Sequence, residues 1–256
     1  MKIFIENRNN KKIATVVEKN PNPKGLAFVM HGLGGNKDQL HIQAFSQVFK
    51  DNGFSVVVFD ATHTFGESEG DYGDATTTNY LEDLEDVIKW AKTRSWYQEP
   101  FWLAGHSLGG ICVALYAERH PKEIKALAPI STVVSGKLSA ESTGKAKHLA
   151  DWKRTGWLVS ESQTRPGLVK KLKWSEMEDR MKYDLLSLAD KLTMPVLMIV
   201  GDKDQNTPLA HQQILFDKLP GKKELHVIKN APHTFQTPEH LAEVKNIFDK
   251  WIKDNL

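Results

Sequence analysis

The chain has 256 residues, 40% of them hydrophobic and 26% charged, which suits one globular domain covering residues 1–256. Its formal charge of +2 is too small to indicate a nucleic-acid partner, and its longest strongly apolar run, residues 195–200, is too short to span a membrane. Cys112 is the single cysteine, which excludes an internal disulfide and favours a cytoplasmic location, while nothing in the composition indicates the oligomeric state.

The predicted elements alternate between short apolar strands and amphipathic helices. Residues 2–5 and 13–17 resemble a leading antiparallel hairpin. Six later runs are short, apolar and bounded by turn-forming residues, which is typical of buried parallel strands; they are residues 26–30, 54–59, 101–104, 124–130, 195–200 and 225–228. Apolar residues at spacings of three and four predict helices between them, as at 81–91 and 241–252. The alternation predicts an α/β fold with a mostly parallel sheet and helices on both faces.

The segment from about residue 134 to 191 interrupts this alternation. It contains no clear buried strand, and its basic residues, Arg165 among them, outnumber its acidic ones. We interpret it as a helical cap inserted into the domain and lying over the sheet. Trp152 and Trp157 are candidate pocket residues in it. A basic, tryptophan-bearing cap favours acidic or aromatic substrates, and the alternative is a solvated lid whose tryptophans pack on the core.

Residues 105–110, with the sequence GHSLGG, follow a predicted strand and precede a predicted helix. A serine at such a sharp turn projects its hydroxyl, and the neighbouring glycines are required because the backbone there leaves no room for side chains. The following helix directs the positive end of its dipole at the serine. Ser107 is therefore the candidate nucleophile, and the alternative is a structural turn with an incidental serine.

A glycine-rich loop, residues 31–36, follows the strand at residues 26–30. Its position suits a backbone N–H donor to an oxyanion, and we expect the N–H groups of Leu33 and Leu108 to form that pair. The loop lacks both the Gly-Lys-Ser/Thr ending of a nucleotide P-loop and the spacing of a dinucleotide site. We therefore expect no nucleotide cofactor. No metal is expected either, because no group of His, Cys and Asp residues has metal-ligand spacing.

Two further loops supply an acid and a histidine. Asp202 and Asp204 follow the strand at residues 195–200, and His233 follows the strand at residues 225–228. Since the carboxyl ends of parallel strands meet at one edge of a sheet, these loops converge on the loop that bears Ser107. Serine, acid and histidine also occur in the chain order that one large class of hydrolases uses.

This arrangement resembles the α/β-hydrolase superfamily, in particular small bacterial serine esterases similar to cinnamoyl and related acyl esterases. The resemblance extends from about residue 24 to 256, except for the insertion. It implies Asp204 rather than Asp202 as the acid, because Gly201 and Pro208 match the family's Gly-x-x-Asp-x-x-x-Pro pattern. The loop after residues 54–59 departs from the family pattern, and His63 in that loop is a candidate pocket residue.

The expected activity is hydrolysis of carboxylic esters of small to medium size through an acyl-enzyme intermediate, with Ser107 as nucleophile, His233 as general base and Asp204 orienting it. A small-molecule ester is the expected partner. Two alternatives stay open at this stage. The same triad serves thioester, amide or peptide hydrolysis and acyl transfer, and the fold also occurs in non-catalytic ligand-binding proteins.

Overall fold

The structure is a computed structural model that describes residues 1–162 and 167–256. Arg165, counted above among the basic residues of the insertion, lies outside the described residues. Ten strands occur in the described part of the chain; they are β1 (Lys2–Glu6), β2 (Lys12–Glu18), β3 (Leu26–Met30), β4 (Ser55–Phe59), β5 (Phe101–His106), β6 (Ile124–Ile130), β7 (Trp157–Glu161), β8 (Val169–Lys173), β9 (Val196–Gly201) and β10 (Lys223–Ile228).

Eight of these strands form the central sheet in the order β1-β2-β4-β3-β5-β6-β9-β10. β2 pairs antiparallel with both β1 and β4, and all other pairs are parallel. The predicted leading hairpin and the predicted parallel sheet are therefore both confirmed. The carboxyl ends of β3, β5, β9 and β10 lie at the same edge, which is where the predicted site loops begin.

Helices cover both faces of the sheet. They are α1 (Leu40–Asp51), α2 (Thr77–Lys92), α3 (Leu108–Arg119), α4 (Gly136–Glu141), α5 (Thr143–Thr155), α6 (Ser175–Arg180), α7 (Leu209–Lys218) and α8 (Pro238–Lys253). Alternate side chains of a strand point to opposite faces. In β3, Phe28 and Met30 join the core under α2 and α3, whereas Ala27 and Val29 join the core under α1 and α8. Because both faces are buried, the strand is a continuous apolar run.

The segment between β6 and β9 contains α4, α5 and α6, which agrees with the predicted helical insertion. It also contains an antiparallel hairpin of β7 and β8 that the sequence did not predict. Leu172 is the one buried residue in this pair of strands. We refer to residues 134–191 as the cap. Over the ranges 1–162 and 167–256, no helix has both the length and the apolar character needed to cross a bilayer.

Candidate active site

Ser107 occupies the tight turn between β5 and α3. Its backbone has φ of 57° and ψ of −113°, a strained conformation for a residue with a side chain. The flanking glycines make the turn possible because a Cβ on Gly105 would lie 2.4 Å from the carbonyl oxygen of Gly109, and a Cβ on Gly109 would lie 2.4 Å from that of His31. The turn is also tied to the next strand, since the Ser107 N–H donates to the Ile130 carbonyl at 3.0 Å.

The three candidate catalytic side chains meet in one chain of hydrogen bonds. His233 Nε2 lies 2.9 Å from Ser107 Oγ, and His233 Nδ1 lies 2.7 Å from Asp204 Oδ2. Asp202 is exposed, and of the two carboxylates it is Asp204 that reaches the histidine. A carboxylate accepts a hydrogen bond from Nδ1, so Nε2 is left free to accept the serine proton.

The Asp204 carboxylate is held by its own loop. Its Oδ1 accepts hydrogen bonds from the N–H groups of Asn206 and Thr207, both at 2.9 Å, and the Thr207 hydroxyl lies 2.8 Å from Oδ2. Burial alone would raise the pKa of Asp204, but the His233 ring and the Thr207 hydrogen bonds outweigh burial and hold this pKa well below its usual range. Asp204 therefore stays ionised and keeps orienting the imidazole.

The glycine-rich loop after β3 packs directly against the serine turn. A Cβ on Gly32 would lie 3.0 Å from Ser107 Cβ. His31 fixes this loop: its Nδ1 donates to the Gly32 carbonyl at 2.7 Å, and its Nε2 accepts from the Ala61 N–H at 2.9 Å. The Leu108 N–H is the first of α3, and the first N–H groups of a helix have no partner within it.

His106 supports the loop that carries His233. Its Nε2 lies 2.8 Å from the His233 carbonyl oxygen, which accepts only, so His106 carries its proton on Nε2. Burial, together with His41 and His233, lowers the pKa of His106 well below its usual value. The His106 ring is therefore a neutral support beside the His233 ring, at a centroid distance of 4.7 Å.

A cavity of about 490 Å³ lies between these loops and the cap. Ser107 and His233 line it from the sheet side together with Leu33. From the cap side it is lined by apolar residues, including Trp152, Leu158 and Leu172, and by several charged residues considered below. Trp152 is almost fully buried and donates from Nε1 to the Leu172 carbonyl at 3.1 Å, so this wall is fixed in place.

Two of the candidate pocket residues lie elsewhere. His63 does not line the cavity; its Nδ1 bonds to the Asp71 carbonyl at 3.0 Å, and its ring contacts the backbone near Gly70, so it structures its own loop. Trp157 is 42% exposed and has Lys173 Nζ above its ring at 5.7 Å. Trp157 does not line the cavity, whereas the residues that follow it in β7, 158–161, do.

The residues that support Asp204 and His233 through their side chains were not predicted from the sequence. Thr207 and His106 stand beside predicted catalytic residues, but only the fold shows which groups their side chains reach. Glu176 and Arg180, which line the cavity, did carry a usable signal because residues four apart on a helix face one another.

Two family models match the chain. The Hydrolase_4 model, described as serine aminopeptidase, S33, matches residues 21–184, and the model of the PhoPQ-activated pathogenicity-related protein matches residues 120–255. The first match includes the serine turn and the glycine-rich loop. The second includes the loops that bear the acid and the histidine.

Individual proteins are similar over much of the chain. An uncharacterized 31.7 kDa protein of Escherichia coli is 24% identical over 90% of this chain and 91% of its own length. The monoglyceride lipase of Mus musculus is 30% identical over 48% of this chain and 40% of its own length. The structure of Est1E from Butyrivibrio proteoclasticus with bound ferulic acid has a TM-score of 0.79 at 23% identity, covering 99% of this chain and 98% of that one. The predicted α/β-hydrolase fold is confirmed.

Proposed function

We propose that this chain, which belongs to the Hydrolase_4 family of α/β-hydrolases, cleaves carboxylic esters of small to medium size through an acyl-enzyme intermediate. The observation that carries the proposal is the continuous chain of hydrogen bonds from Ser107 through His233 to Asp204, opening onto a cavity. The lipase among the relatives supports an ester bond as the target. The single, buried cysteine supports a cytoplasmic location.

Acylation begins at Ser107 Oγ. The oxygen attacks the ester carbonyl carbon while His233 Nε2 takes the hydroxyl proton, and Asp204 stabilises the imidazolium that forms. The tetrahedral intermediate then collapses. The bond to the alcohol oxygen breaks, and that oxygen receives the proton from His233, so that an acyl group remains on Ser107 and the alcohol departs.

The oxyanion of the tetrahedral intermediate is assigned to the N–H groups of Leu33 and Leu108. The first belongs to the loop packed against the serine turn, and the second opens α3, whose dipole adds to the stabilisation. A fixed donor of this kind contributes about 3–4 kcal/mol in comparable sites. His31 supports the arrangement by holding the loop of Leu33 in place.

Deacylation repeats the same steps with water. His233 takes a proton from water, whose oxygen attacks the acyl carbon, and the proton then returns to Ser107 Oγ as the acid is released. The cap, inserted in a single domain, forms the roof of the substrate pocket, with Trp152 in its wall. Movement of the cap then governs entry to the pocket.

The test is hydrolysis of 4-nitrophenyl butyrate by the wild type and by Ser107→Ala and His233→Ala. Each variant should lose about 10⁴-fold or more in kcat, because the nucleophile and the base act as one unit. The matching anilide should be cleaved far more slowly than the ester by the wild type. Asp202→Asn, which changes an exposed carboxylate in the same loop region, is the control. Wild-type turnover by Ser107→Ala would contradict the proposal.

A further inference from the structure

The cavity beside Ser107 carries an excess of positive charge. Among the described residues that line it, cationic side chains outnumber carboxylates; the cations are Lys145, Lys147, Lys170, Arg180 and Lys203, and the carboxylates are Glu161 and Glu176. The Asp204 carboxylate lies behind His233 and does not line the cavity. A concave wall of one charge sign attracts ligands of the opposite sign.

Glu176 and Arg180 form a neutral unit within this wall. Arg180 donates to Glu176 Oε1 from Nε at 2.8 Å and from Nη2 at 2.5 Å, and its Nη1 donates to Ser139 Oγ at 2.9 Å. The two side chains are 2% and 0% exposed. Because the charges of the two side chains compensate each other, the pair adds no net charge to the cavity wall.

The position of Lys145 in the cavity wall follows from the docking of the first turn of α5. The N–H of Gly144 donates to the Gln205 carbonyl at 3.0 Å, which docks the first turn of α5 on the loop that carries Asp204. Lys145 follows and is half-buried in the cavity wall. Its position therefore depends on the same loop that orients the catalytic histidine.

The Lys145 ammonium has no ion pair or hydrogen bond with any residue in the ranges 1–162 and 167–256. Burial and, to a smaller extent, the charge of Arg180 lower the pKa of Lys145 to about 8, although Glu176 and Asp204 act in the opposite direction. The group is thus still charged at pH 7. A partly buried ammonium without a counter-ion carries a desolvation cost, which an anionic ligand would offset.

We propose that the natural substrate is an ester that also carries a carboxylate, which Lys145 binds while Ser107 attacks the ester carbonyl. The inference rests on the proposed function and names its substrate class. The same cavity is lined by the apolar residues Trp152, Leu158 and Leu172. We therefore expect an apolar chain between the ester and the carboxylate of the substrate. A half-ester of a dicarboxylic acid has an ester at one end, a carboxylate at the other and an apolar chain between them.

The experiment compares monoethyl adipate with ethyl hexanoate, which have the same length and differ in the terminal carboxylate. Acid release is measured in a pH-stat at pH 7. The wild type should prefer the half-ester by about tenfold or more in kcat/KM, chiefly through KM. Lys145→Met should remove this preference and leave ethyl hexanoate hydrolysis within about twofold of wild type, which also shows that the variant is folded. Lys145→Arg should retain most of the preference.

Lys153→Met is the matched control, since Lys153 is exposed on the same helix and does not line the cavity. It should leave the preference unchanged. Added salt should weaken the preference of the wild type because screening reduces attraction between charges. The preference should also fall as the pH rises through about 8, where Lys145 loses its proton in the field of Arg180, Glu176 and Asp204. Ethyl hexanoate should show no such loss.

The outcomes separate the inference from the proposed function. Equal efficiency on the two ethyl esters, or a preference that survives Lys145→Met, overturns the inference and leaves the esterase function intact. No turnover of the half-ester by a protein that hydrolyses 4-nitrophenyl butyrate also overturns it. No turnover of any ester, together with an unreactive Ser107, contradicts the proposed function itself.

Discussion

Replacing Asp204 by asparagine tests whether the acid acts through the tautomer of His233. Asp204 Oδ2 accepts the Nδ1 proton at 2.7 Å, which leaves Nε2 able to accept from Ser107 Oγ at 2.9 Å. An asparagine amide donates to Nδ1 instead and favours the tautomer with its proton on Nε2. In comparable triads this change lowers kcat by about 10⁴. At 1.36 kcal/mol for each factor of ten, the loss of transition-state stabilisation is about 5.4 kcal/mol.

The structure also predicts that Asp204→Asn folds. The asparagine oxygen still accepts from the N–H groups of Asn206 and Thr207, which bond to Oδ1 in the wild type. The assay is kcat for 4-nitrophenyl butyrate, with thermal unfolding as a check on the fold. Asp202→Asn should stay within about twofold of wild type. This role of Asp204 is contradicted if Asp204→Asn keeps more than about a tenth of the wild-type kcat, or if Asp202→Asn loses as much as Asp204→Asn.

Three further predictions concern groups around the triad. Thr207→Val removes the hydroxyl near Asp204 Oδ2 but keeps the backbone N–H, so kcat should fall about tenfold with KM unchanged. An unchanged kcat would show that the Thr207 hydroxyl does not support Asp204. Gly109→Ala places a Cβ 2.4 Å from the His31 carbonyl oxygen and should lower the free energy of unfolding, measured by urea titration, by about 1–3 kcal/mol. A variant as stable as the wild type would contradict this close approach of the two backbone segments. Burial raises the pKa of the Cys112 thiol, so a disulfide reagent should label it only when the protein unfolds. Fast labelling of the native protein would contradict this prediction.

The strands were predictable because each is defined by a local pattern, but their ends depend on tertiary pairing. The strand predicted at 54–59 begins at Ser55, since the Phe54 N–H donates to the Phe49 carbonyl and closes the end of α1. The strand predicted at 101–104 continues to His106. Gly105, which lies just beyond the predicted strand, pairs with Met30 and Pro129 across the sheet.

The meeting of Ser107, Asp204 and His233 was predictable from topology alone. Each residue follows the carboxyl end of a parallel strand, and those ends lie at one edge of the sheet. The order and direction of the strands are therefore enough to predict that the three loops meet. Their hydrogen-bond geometry depends on side-chain packing, and only the structure gives it.

The cap was the least predictable part of the chain. The hairpin of β7 and β8 escaped prediction because its residues are mostly exposed and, in β8, largely lysine, so neither strand has the apolar run on which strand prediction depends. The position of Lys145 in the cavity wall was equally unpredictable from the sequence. It arises from the contact between the start of α5 and Gln205, some sixty residues apart in the chain.

The central claim is that Ser107 is a nucleophile activated by His233. Its most direct test is mass spectrometry of the protein after brief reaction with a fluorophosphonate, an electrophile that modifies activated serine hydroxyls. The account predicts one adduct, located on Ser107, that forms far more slowly in His233→Ala and is absent from Ser107→Ala. An unmodified Ser107, or an adduct that forms equally fast without the histidine, would contradict the account.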